Sequence, residues 1–256
     1  MSKKFDEFYY LKDNEKHNIN EISEYVSSQK DGNYTPYQGL IYCPECQKAK
    51  LTYIHKTTNK GDYLKKIPSS QHHNWCSYFF DISSKKEIEI YFGELNEDQI
   101  IDKIDSVMRF LLKDKTNNSN TITANNFNSL IKSNPTIIQS KGSKIYKTIP
   151  RKSINTKLDD LPNDTPFIFY GTVKLSVETI PGKRKSDGKD FIYNKLIIKT
   201  QNKHKDWVFT SRIYRGGFKD QVNENMTYKV VLIGYKDNWD IKLINKLAIK
   251  YEVLPE

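Results

Sequence analysis

The last third of the chain is dominated by apolar and β-branched runs that predict five β-strands. The runs span 167–177, 191–200, 207–214, 227–235 and 241–251. A connection of helical length, 216–225, separates the third run from the fourth, and this layout is typical of an OB barrel. Gly171 lies inside the first run, where a strand that bends around a small barrel often needs a glycine. We therefore expect a small antiparallel, OB-like β-barrel, with an SH3-like barrel or a small sandwich as alternatives.

A helical pattern precedes the predicted barrel. Its apolar stripe runs from Ile100 to Leu112, and Asn96 followed by Gln99 indicates a capping box at its start. We expect this helix to pack on the N-terminal module. Shorter segments are predicted as a helix at 21–27 capped by Asn18 or Asn20, a strand at 87–92 and a weak helix at 127–133.

A polar stretch separates the two ends of the chain. Residues 113–126 are mostly Asn, Thr and Lys, a composition that offers little apolar area to bury. The predicted fold class is α+β, with an N-terminal module and a C-terminal barrel. The predicted divisions are the module at 1–115, a polar linker region at 116–165 and the barrel at 166–256.

The three cysteines carry the clearest chemistry in the sequence. Cys43 and Cys46 form a C-P-E-C knuckle, and Cys76 follows two adjacent histidines, His72 and His73. Three cysteines cannot close a set of disulfides, whereas three thiolates and one imidazole complete a tetrahedral zinc shell. We therefore predict a structural Zn²⁺ site formed by Cys43, Cys46, His72 and Cys76, with His73 as the alternative to His72.

Strand-like segments flank the knuckle at 34–42 and 51–54, and together they predict a zinc-ribbon-like hairpin. The run Ile41-Tyr42-Cys43-Pro44-Glu45-Cys46, with the later His72 and Cys76, resembles the N-terminal zinc-binding segment of CoiA-like competence proteins. That resemblance implies a zinc-binding module. The nuclease activity predicted for that family is not carried over, because its catalytic residues are not recognisable in this sequence.

The net charge of the chain indicates what kind of partner it binds. It has 41 Lys and Arg against 31 Asp and Glu, a formal net charge of +10 at pH 7. Such an excess favours an acidic partner, above all nucleic acid, although a general bias toward Lys, Asn and Ile raises the same count. Lysines outnumber arginines, and Arg is the better reader of base edges. We therefore expect contact with the phosphate backbone and little sequence specificity.

Aromatic and basic residues are interleaved along the predicted barrel strands. OB domains hold single-stranded nucleic acids by stacking bases on aromatic side chains within a basic surface. The predicted surface for nucleic acid, with single-stranded DNA as the favoured ligand, consists of Lys183, Arg184, Lys185, Lys195, Arg212, Tyr214 and Arg215. Since side chains alternate between the faces of a strand, we place Trp207 and Phe209 in the core.

Sequence patterns of catalysis are missing. The chain has no P-loop, no G-x-S-x-G elbow, no dinucleotide fingerprint and no Glu beside a histidine in a zinc-hydrolase arrangement. The leading hypothesis is a non-enzymatic, nucleic-acid-binding accessory protein with a structural zinc site. An adaptor that binds proteins of a larger DNA-processing complex is the alternative. A nuclease formed by Glu87 and Glu89 with Lys85 and Lys86 is a third.

The sequence also bears on location. No apolar run approaches the ~20 residues of a membrane span, and the N-terminus has no apolar signal-peptide core. Free thiols reserved for a metal suit a reducing compartment. We therefore expect a cytoplasmic protein without a membrane partner.

Overall fold

The computed structural model describes residues 3–57, 61–112, 127–139, 145–159, 161–163, 165–183 and 188–255. Its contacts divide the chain into two compact units, each assembled from separate stretches of sequence. The first unit consists of Met1–Ile82, Ser119–Thr148 and Thr156–Asp160, and the second of Ser83–Asn118, Ile149–Asn155 and Leu161–Glu256. Each unit contains both helices and strands, so the chain is α+β as predicted.

The elements are numbered in chain order. The strands are β1 (Glu7–Tyr10), β2 (Glu15–Asn18), β3 (Ile41–Tyr42), β4 (Leu51–Ile54), β5 (Tyr63–Lys66), β6 (Ile137–Gln139), β7 (Tyr146–Thr148), β8 (Arg151–Ser153), β9 (Pro166–Lys183), β10 (Asp190–Gln201), β11 (Trp207–Gly216), β12 (Thr227–Asp237), β13 (Asp240–Leu243) and β14 (Ile249–Val253). The helices are α1 (Ile19–Ser28), α2 (Lys85–Gly93), α3 (Glu97–Leu112) and α4 (Phe127–Ser133), with a short 3-10 helix at Ser77–Phe79.

The first unit is organised around one apolar core. Strands β2, β1 and β3 form an antiparallel sheet in that order, and β4 pairs with β5 in a separate hairpin. Phe8 from β1, Leu64 from β5 and Ile22 from α1 are fully buried in this core. Helix α1 begins after Asn18, whose side chain accepts a hydrogen bond from the N–H of Asn20. Asn18 is therefore the cap.

The segment that we predicted as a strand at 87–92 lies in helix α2, so that prediction was wrong. The Ser84 hydroxyl accepts from the N–H of Glu87 at 3.3 Å, and the Glu87 carboxylate accepts from the N–H of Ser84 at 2.8 Å. This reciprocal capping box starts a helix. Ile88 and Phe92 are buried one turn apart, whereas the isoleucine between them is exposed. The alternation of Glu and Ile is compatible with a strand or a helix, and the capping box favours the helix.

Helix α3 is confirmed where the apolar stripe predicted it. Asn96 Oδ1 accepts from the N–H of Gln99 at 2.9 Å, and Gln99 Oε1 accepts from the N–H of Asn96 at 3.0 Å. Ile100, Ile104 and Val107 are buried. The helix packs against β12, β14 and β9 and so belongs to the second unit. We had expected it on the N-terminal module, but an apolar stripe does not reveal which surface covers it.

The two units also differ from the divisions that the sequence predicted. Both α2 and α3 lie in the second unit, although they precede the predicted linker region at 116–165. Parts of that region are folded: α4 is confirmed at 127–133, β6 pairs with β7 in the first unit, and β8 pairs in parallel with β9 in the second. The chain therefore passes between the units more than once, which composition does not reveal.

The second unit is built on one sheet of seven strands. Their order is β14, β12, β13, β11, β10, β9 and β8, and β12 also pairs with β9. One half of β9 pairs with β12 and the other half with β10, the two registers meeting at Lys174. Pairing thus runs from β9 through β10, β11, β13 and β12 and returns to β9. The strand predicted at 241–251 is divided into β13 and β14, and turns without a helix connect β11 to β12.

A close backbone approach explains the glycine in β9. Asn155 Nδ2 donates to the carbonyl of Thr172 at 2.7 Å, and Asn155 Oδ1 accepts from the N–H of Thr172 at 2.9 Å. A Cβ at Gly171 would lie 2.0 Å from Asn155 Oδ1 and 2.9 Å from a methyl carbon of Ile154. Glycine is therefore required here because the segment after β8 lies directly against the strand.

Candidate metal centre and nucleic-acid interface

The first two cysteines lie in a tight turn between β3 and β4. The N–H of Cys43 donates to the carbonyl of Ala49 at 2.8 Å, and the N–H of Gln47 donates to the carbonyl of Cys43 at 2.9 Å. Gln47 has a φ of 52°, a left-handed conformation that reverses the chain directly after Cys46. Both cysteines are buried in the core of the first unit.

The other two predicted metal ligands, His72 and Cys76, follow β5. The N–H of Cys76 donates to the carbonyl of His73 at 3.0 Å, and the carbonyl of Cys76 accepts from the N–H of Phe79 at 2.9 Å. This compact loop brings His72 Nδ1 to 3.6 Å from Cys76 Sγ and to 3.4 Å from Cys46 Sγ.

The four predicted metal ligands come together at one point. Cys43 Sγ lies 3.8 Å from Cys76 Sγ, and the four ligand atoms of Cys43, Cys46, His72 and Cys76 all lie within 4.8 Å of one another. Three thiols and one imidazole are close enough to hold a metal ion. Among the residues that the structure describes, no other cluster of this kind is found.

The two adjacent histidines have different environments. The His72 ring lies parallel to Phe5 and to Tyr78, with centroid distances of 5.9 Å to each, and its Nδ1 faces the sulfurs. The His73 ring is stacked on Trp75 at 5.4 Å instead. The structure therefore favours His72 over His73 as the fourth ligand.

Glu45, which sequence reasoning missed, links the two halves of the metal centre. Its carboxylate accepts from the N–H of Ser77 at 2.6 Å and from the Ser77 hydroxyl at 2.5 Å. It also accepts from Asn134 Nδ2 at 2.8 Å, just after α4. The Asn134 side chain in turn accepts from the N–H and hydroxyl of Thr136. The knuckle is thereby fixed to the loop that carries Cys76.

The surroundings of the three sulfurs shift their pKa values in different directions. Burial raises the pKa of Cys43 to about 12, and burial likewise raises the pKa of Cys76. Hydrogen bonds from Cys43 and from Cys76 lower the pKa of Cys46. Because each cysteine binds a metal as thiolate, uptake of a cation releases protons, and metal affinity falls as the pH is lowered.

Three of the residues predicted to bind nucleic acid lie together on the second unit. Lys195 on β10 is the direct cross-strand partner of Tyr214 on β11, and Arg212 is partnered with Ile197. The intervening Leu196 and Ile213 are fully buried, so Lys195, Arg212 and Tyr214 share the opposite, outer face. We call this the outer face of β10 and β11.

The remaining predicted residues are placed differently. The Arg215 side chain is only 9% exposed, its Nε lies 2.8 Å from the buried Asp220 carboxylate, and its guanidinium donates to the carbonyl of Lys246. Its placement on the binding surface needs correction, because this arginine forms a buried ion pair. Lys183 ends β9 and is exposed, whereas Arg184 and Lys185 lie outside the described residues.

Trp207 and Phe209 are not in the core, contrary to the prediction. Ile198 of β10 lies opposite Ser211 of β11, but the next residue of β10, Lys199, lies opposite Phe209. Thr210 is therefore an extra residue in β11 without a partner position on β10. A bulge of this kind reverses the alternation of side chains along one strand. Phe209 is consequently 44% exposed on the outer face, and Trp207 is half-buried beneath Lys174, whose Nζ lies 5.6 Å from its ring centre.

The charged pairs considered for a nuclease have structural partners. Glu87 caps α2, and Glu89 accepts a hydrogen bond from the Tyr235 hydroxyl at 2.8 Å. The ammonium of Lys85 lies over the Tyr235 ring, 5.3 Å from its centre. These contacts fix α2 to β12.

Comparison with protein-family models, with curated proteins and with solved structures finds no match to this chain. Within the described ranges, no helix has the length and apolar character needed to cross a membrane.

Proposed function

We propose that this protein binds single-stranded nucleic acid, with single-stranded DNA as the favoured ligand, on the outer face of β10 and β11. In this proposal it acts without catalysis, as an accessory component of DNA processing. The first unit contributes a structural zinc site. The observation that carries the proposal is the meeting of Lys195, Arg212 and Tyr214 on one solvent-facing surface.

The strand pairing supports an OB-like barrel as the scaffold. An OB fold is a small five-stranded Greek-key barrel whose second and third strands present the ligand-binding face. Here the pairing that leaves β9 returns to it through β10, β11, β13 and β12, and β11 pairs with β13 in parallel. In this interpretation β10 and β11 are the second and third strands, and their outer face takes the ligand.

The outer face offers both kinds of contact that a single strand needs. Lys195 places its ammonium 5.7 Å from the centre of the Tyr193 ring, and the Tyr193 and Tyr214 rings lie 5.4 Å apart. Aromatic rings stack bases of any sequence, and lysines contact phosphates. Arg212 is half-exposed and pairs with Asp240 at 2.5 Å, so we expect it to contribute less charge than Lys195.

Zinc is the metal that suits the first unit. Zn–S bonds of about 2.3 Å and Zn–N bonds of about 2.0–2.1 Å give tetrahedral edges of about 3.8 Å between two sulfurs and about 3.5–3.6 Å between sulfur and nitrogen. The corresponding separations in the structure are 3.8 Å for the sulfurs of Cys43 and Cys76, and 3.4 Å and 3.6 Å from His72 Nδ1 to sulfur. Four protein ligands fill such a shell, which makes the site structural.

A salt-titrated binding assay tests the proposed function. Fluorescein-labelled single-stranded DNA, single-stranded RNA and duplex DNA are titrated with the protein at several salt concentrations. We expect the single strands to bind more tightly than the duplex, and the affinity to fall as salt rises. Lys195→Ala should make the slope of log affinity against log salt less steep by about 1. Lys86→Ala, an exposed lysine on α2, is the matched control and should leave the slope unchanged.

The outcomes separate the competing functions. Absence of binding at about 50 mM salt would rule out the proposal and favour the protein-interaction adaptor, because backbone contacts are strong at that ionic strength. Cleavage of the same oligonucleotides on adding Mg²⁺ or Mn²⁺ would favour the nuclease.

A further inference from the structure

We propose that Phe209 and Trp239 form a second base-stacking platform on the second unit. It is distinct from the Tyr193–Tyr214 pair, and a single-stranded ligand has to reach both platforms for full affinity. This inference rests on the proposed function, since it assigns the residues that hold the bases of the same ligand. The rings of Phe209 and Trp239 lie 6.0 Å apart, and the two side chains are 44% and 60% exposed.

The bulge in β11 brings Phe209 to the ligand side. Phe209 lies opposite Lys199, which is on the same face of β10 as Lys195. Regular alternation from the buried Ser211 would have put Phe209 in the core. Bulges often re-aim side chains at functional sites, and here the bulge exposes a large apolar ring.

The backbone of Trp239 is hydrogen-bonded to β11, and its side chain is exposed. It lies in the two-residue turn between β12 and β13, and its carbonyl accepts from the N–H of Arg212 at 3.0 Å and from the Ser211 hydroxyl at 2.9 Å. The next residue, Asp240, accepts from Arg212 Nε at 2.5 Å. The turn is therefore anchored to β11 through the Trp239 carbonyl and the Asp240 carboxylate. Because the backbone that carries the solvent-facing indole is already ordered, less entropy is lost when a base stacks on it.

Positive charge beside the platform points to a nucleic acid as its occupant. Lys174 on β9 and Lys199 on β10 are direct cross-strand partners, and Lys199 is in turn opposite Phe209. The two lysines and Trp207 line one depression, to which Glu224 contributes a single opposing charge. Two like charges side by side destabilise an empty sheet, and a phosphate between them would offset that repulsion. A ligand with phosphate groups and planar bases would therefore suit the two lysines and the neighbouring aromatic rings.

The spacing of the platforms sets the length of ligand that can reach both. Lys199 and Lys195, the partners of Phe209 and Tyr214, are four residues apart on β10, or roughly 13 Å at ~3.3 Å per residue. One stacked base step is only about 3.4 Å. Bridging the platforms therefore takes about four to five nucleotides, within the roughly 4–16 that one OB fold covers.

An oligonucleotide length series tests the second platform. Affinities are measured for oligo(dT) of 2 to 12 nucleotides with the wild-type protein, Trp239→Ala and Tyr214→Ala. The wild-type affinity should rise steeply near four to five nucleotides. Trp239→Ala should abolish that rise and weaken the 12-mer by about 5- to 150-fold. Its effect on binding of the dinucleotide should be smaller, because two bases can stack on Tyr193 and Tyr214 alone.

Controls keep the experiment independent of folding. Phe79→Ala removes an aromatic ring of similar exposure from the first unit and should leave the length series unchanged. Trp239→Phe retains a stacking ring and should restore most of the affinity. In a protein whose other tryptophans, Trp75 and Trp207, are replaced by Phe, the fluorescence of Trp239 should be quenched when the 12-mer binds.

The outcomes distinguish this inference from the proposed function. If the wild-type protein binds no oligo(dT), the proposed function itself fails. If the 12-mer binds well but Trp239→Ala behaves like Phe79→Ala, or the Trp239 fluorescence does not change, the second platform is refuted and backbone-directed binding stands.

Discussion

Glu45 joins the two halves of the candidate metal centre although it is not one of the four predicted ligands. Its carboxylate accepts hydrogen bonds from the N–H and hydroxyl of Ser77 and from Asn134 Nδ2. Residues that orient ligands in this way typically change metal affinity 10- to 100-fold when they are replaced. The carboxylate fixes the distance between the knuckle and the loop that carries Cys76.

Replacing Glu45 should therefore weaken the metal site without removing a ligand. For Glu45→Ala we expect zinc affinity about 10- to 100-fold lower than in the wild type, measured by competition with a chromophoric chelator. Glu24→Ala, an exposed glutamate on α1, serves as the control. Equal zinc affinities for the two variants would contradict the role given to Glu45.

The ligands could be predicted from the sequence, but Glu45's role could not. Cys43, Cys46 and Cys76 form a recognisable spacing, and cysteine and histidine in such a spacing usually bind a metal. The contact between Glu45 and Asn134 joins residues 89 positions apart. Nothing local distinguishes this glutamate from a solvated one, and only the folded chain brings its donors together.

Elements were predictable where their signals are local, and less so where one residue changes the register. The capping pair at Asn96 and Gln99 fixed the start of α3 from sequence alone. In β11 the single extra residue at Thr210 reversed the side chains before it, so Trp207 and Phe209 are on the outer face. A bulge has no dependable signature in one sequence, because it depends on the partner strand.

Strand β9 offers a test of close packing at the element scale. Gly171→Ala would put a methyl group against Asn155 and Ile154, and overpacking of this kind typically destabilises a protein by about 1–3 kcal/mol. We expect a lower urea midpoint for the second unit, followed by far-UV circular dichroism. Gly93→Ala at the end of α2 is the control, since a Cβ there meets nothing within 4 Å. A destabilisation no larger than that of the control would count against the contact.

At the scale of the whole molecule, the two units should depend on metal to different degrees. Structural zinc sites contribute about 10–16 kcal/mol in small modules, as much as the whole stability of a typical domain. All three cysteines belong to the core of the first unit, whereas the second unit has a sheet and a core of its own.

Chelation of the metal should therefore unfold the first unit selectively. In hydrogen exchange followed by mass spectrometry, we expect peptides from 3–57 to lose protection after chelator treatment or in Cys43→Ser. Peptides from 188–255 should remain protected, and oligonucleotide binding should persist. Unchanged protection of the first unit in both treatments would show that its fold does not need the metal.

The interleaving of the two units along the chain restricts how the gene can be divided. A cut near residue 115 leaves Glu45 on one fragment and Asn134 on the other, and it separates α3 from β12. A cut near residue 165 detaches β8 from β9. Neither cut yields a fragment that contains one complete unit and could be fused to another protein by recombination. Both units are therefore expected to be inherited, synthesised and lost together.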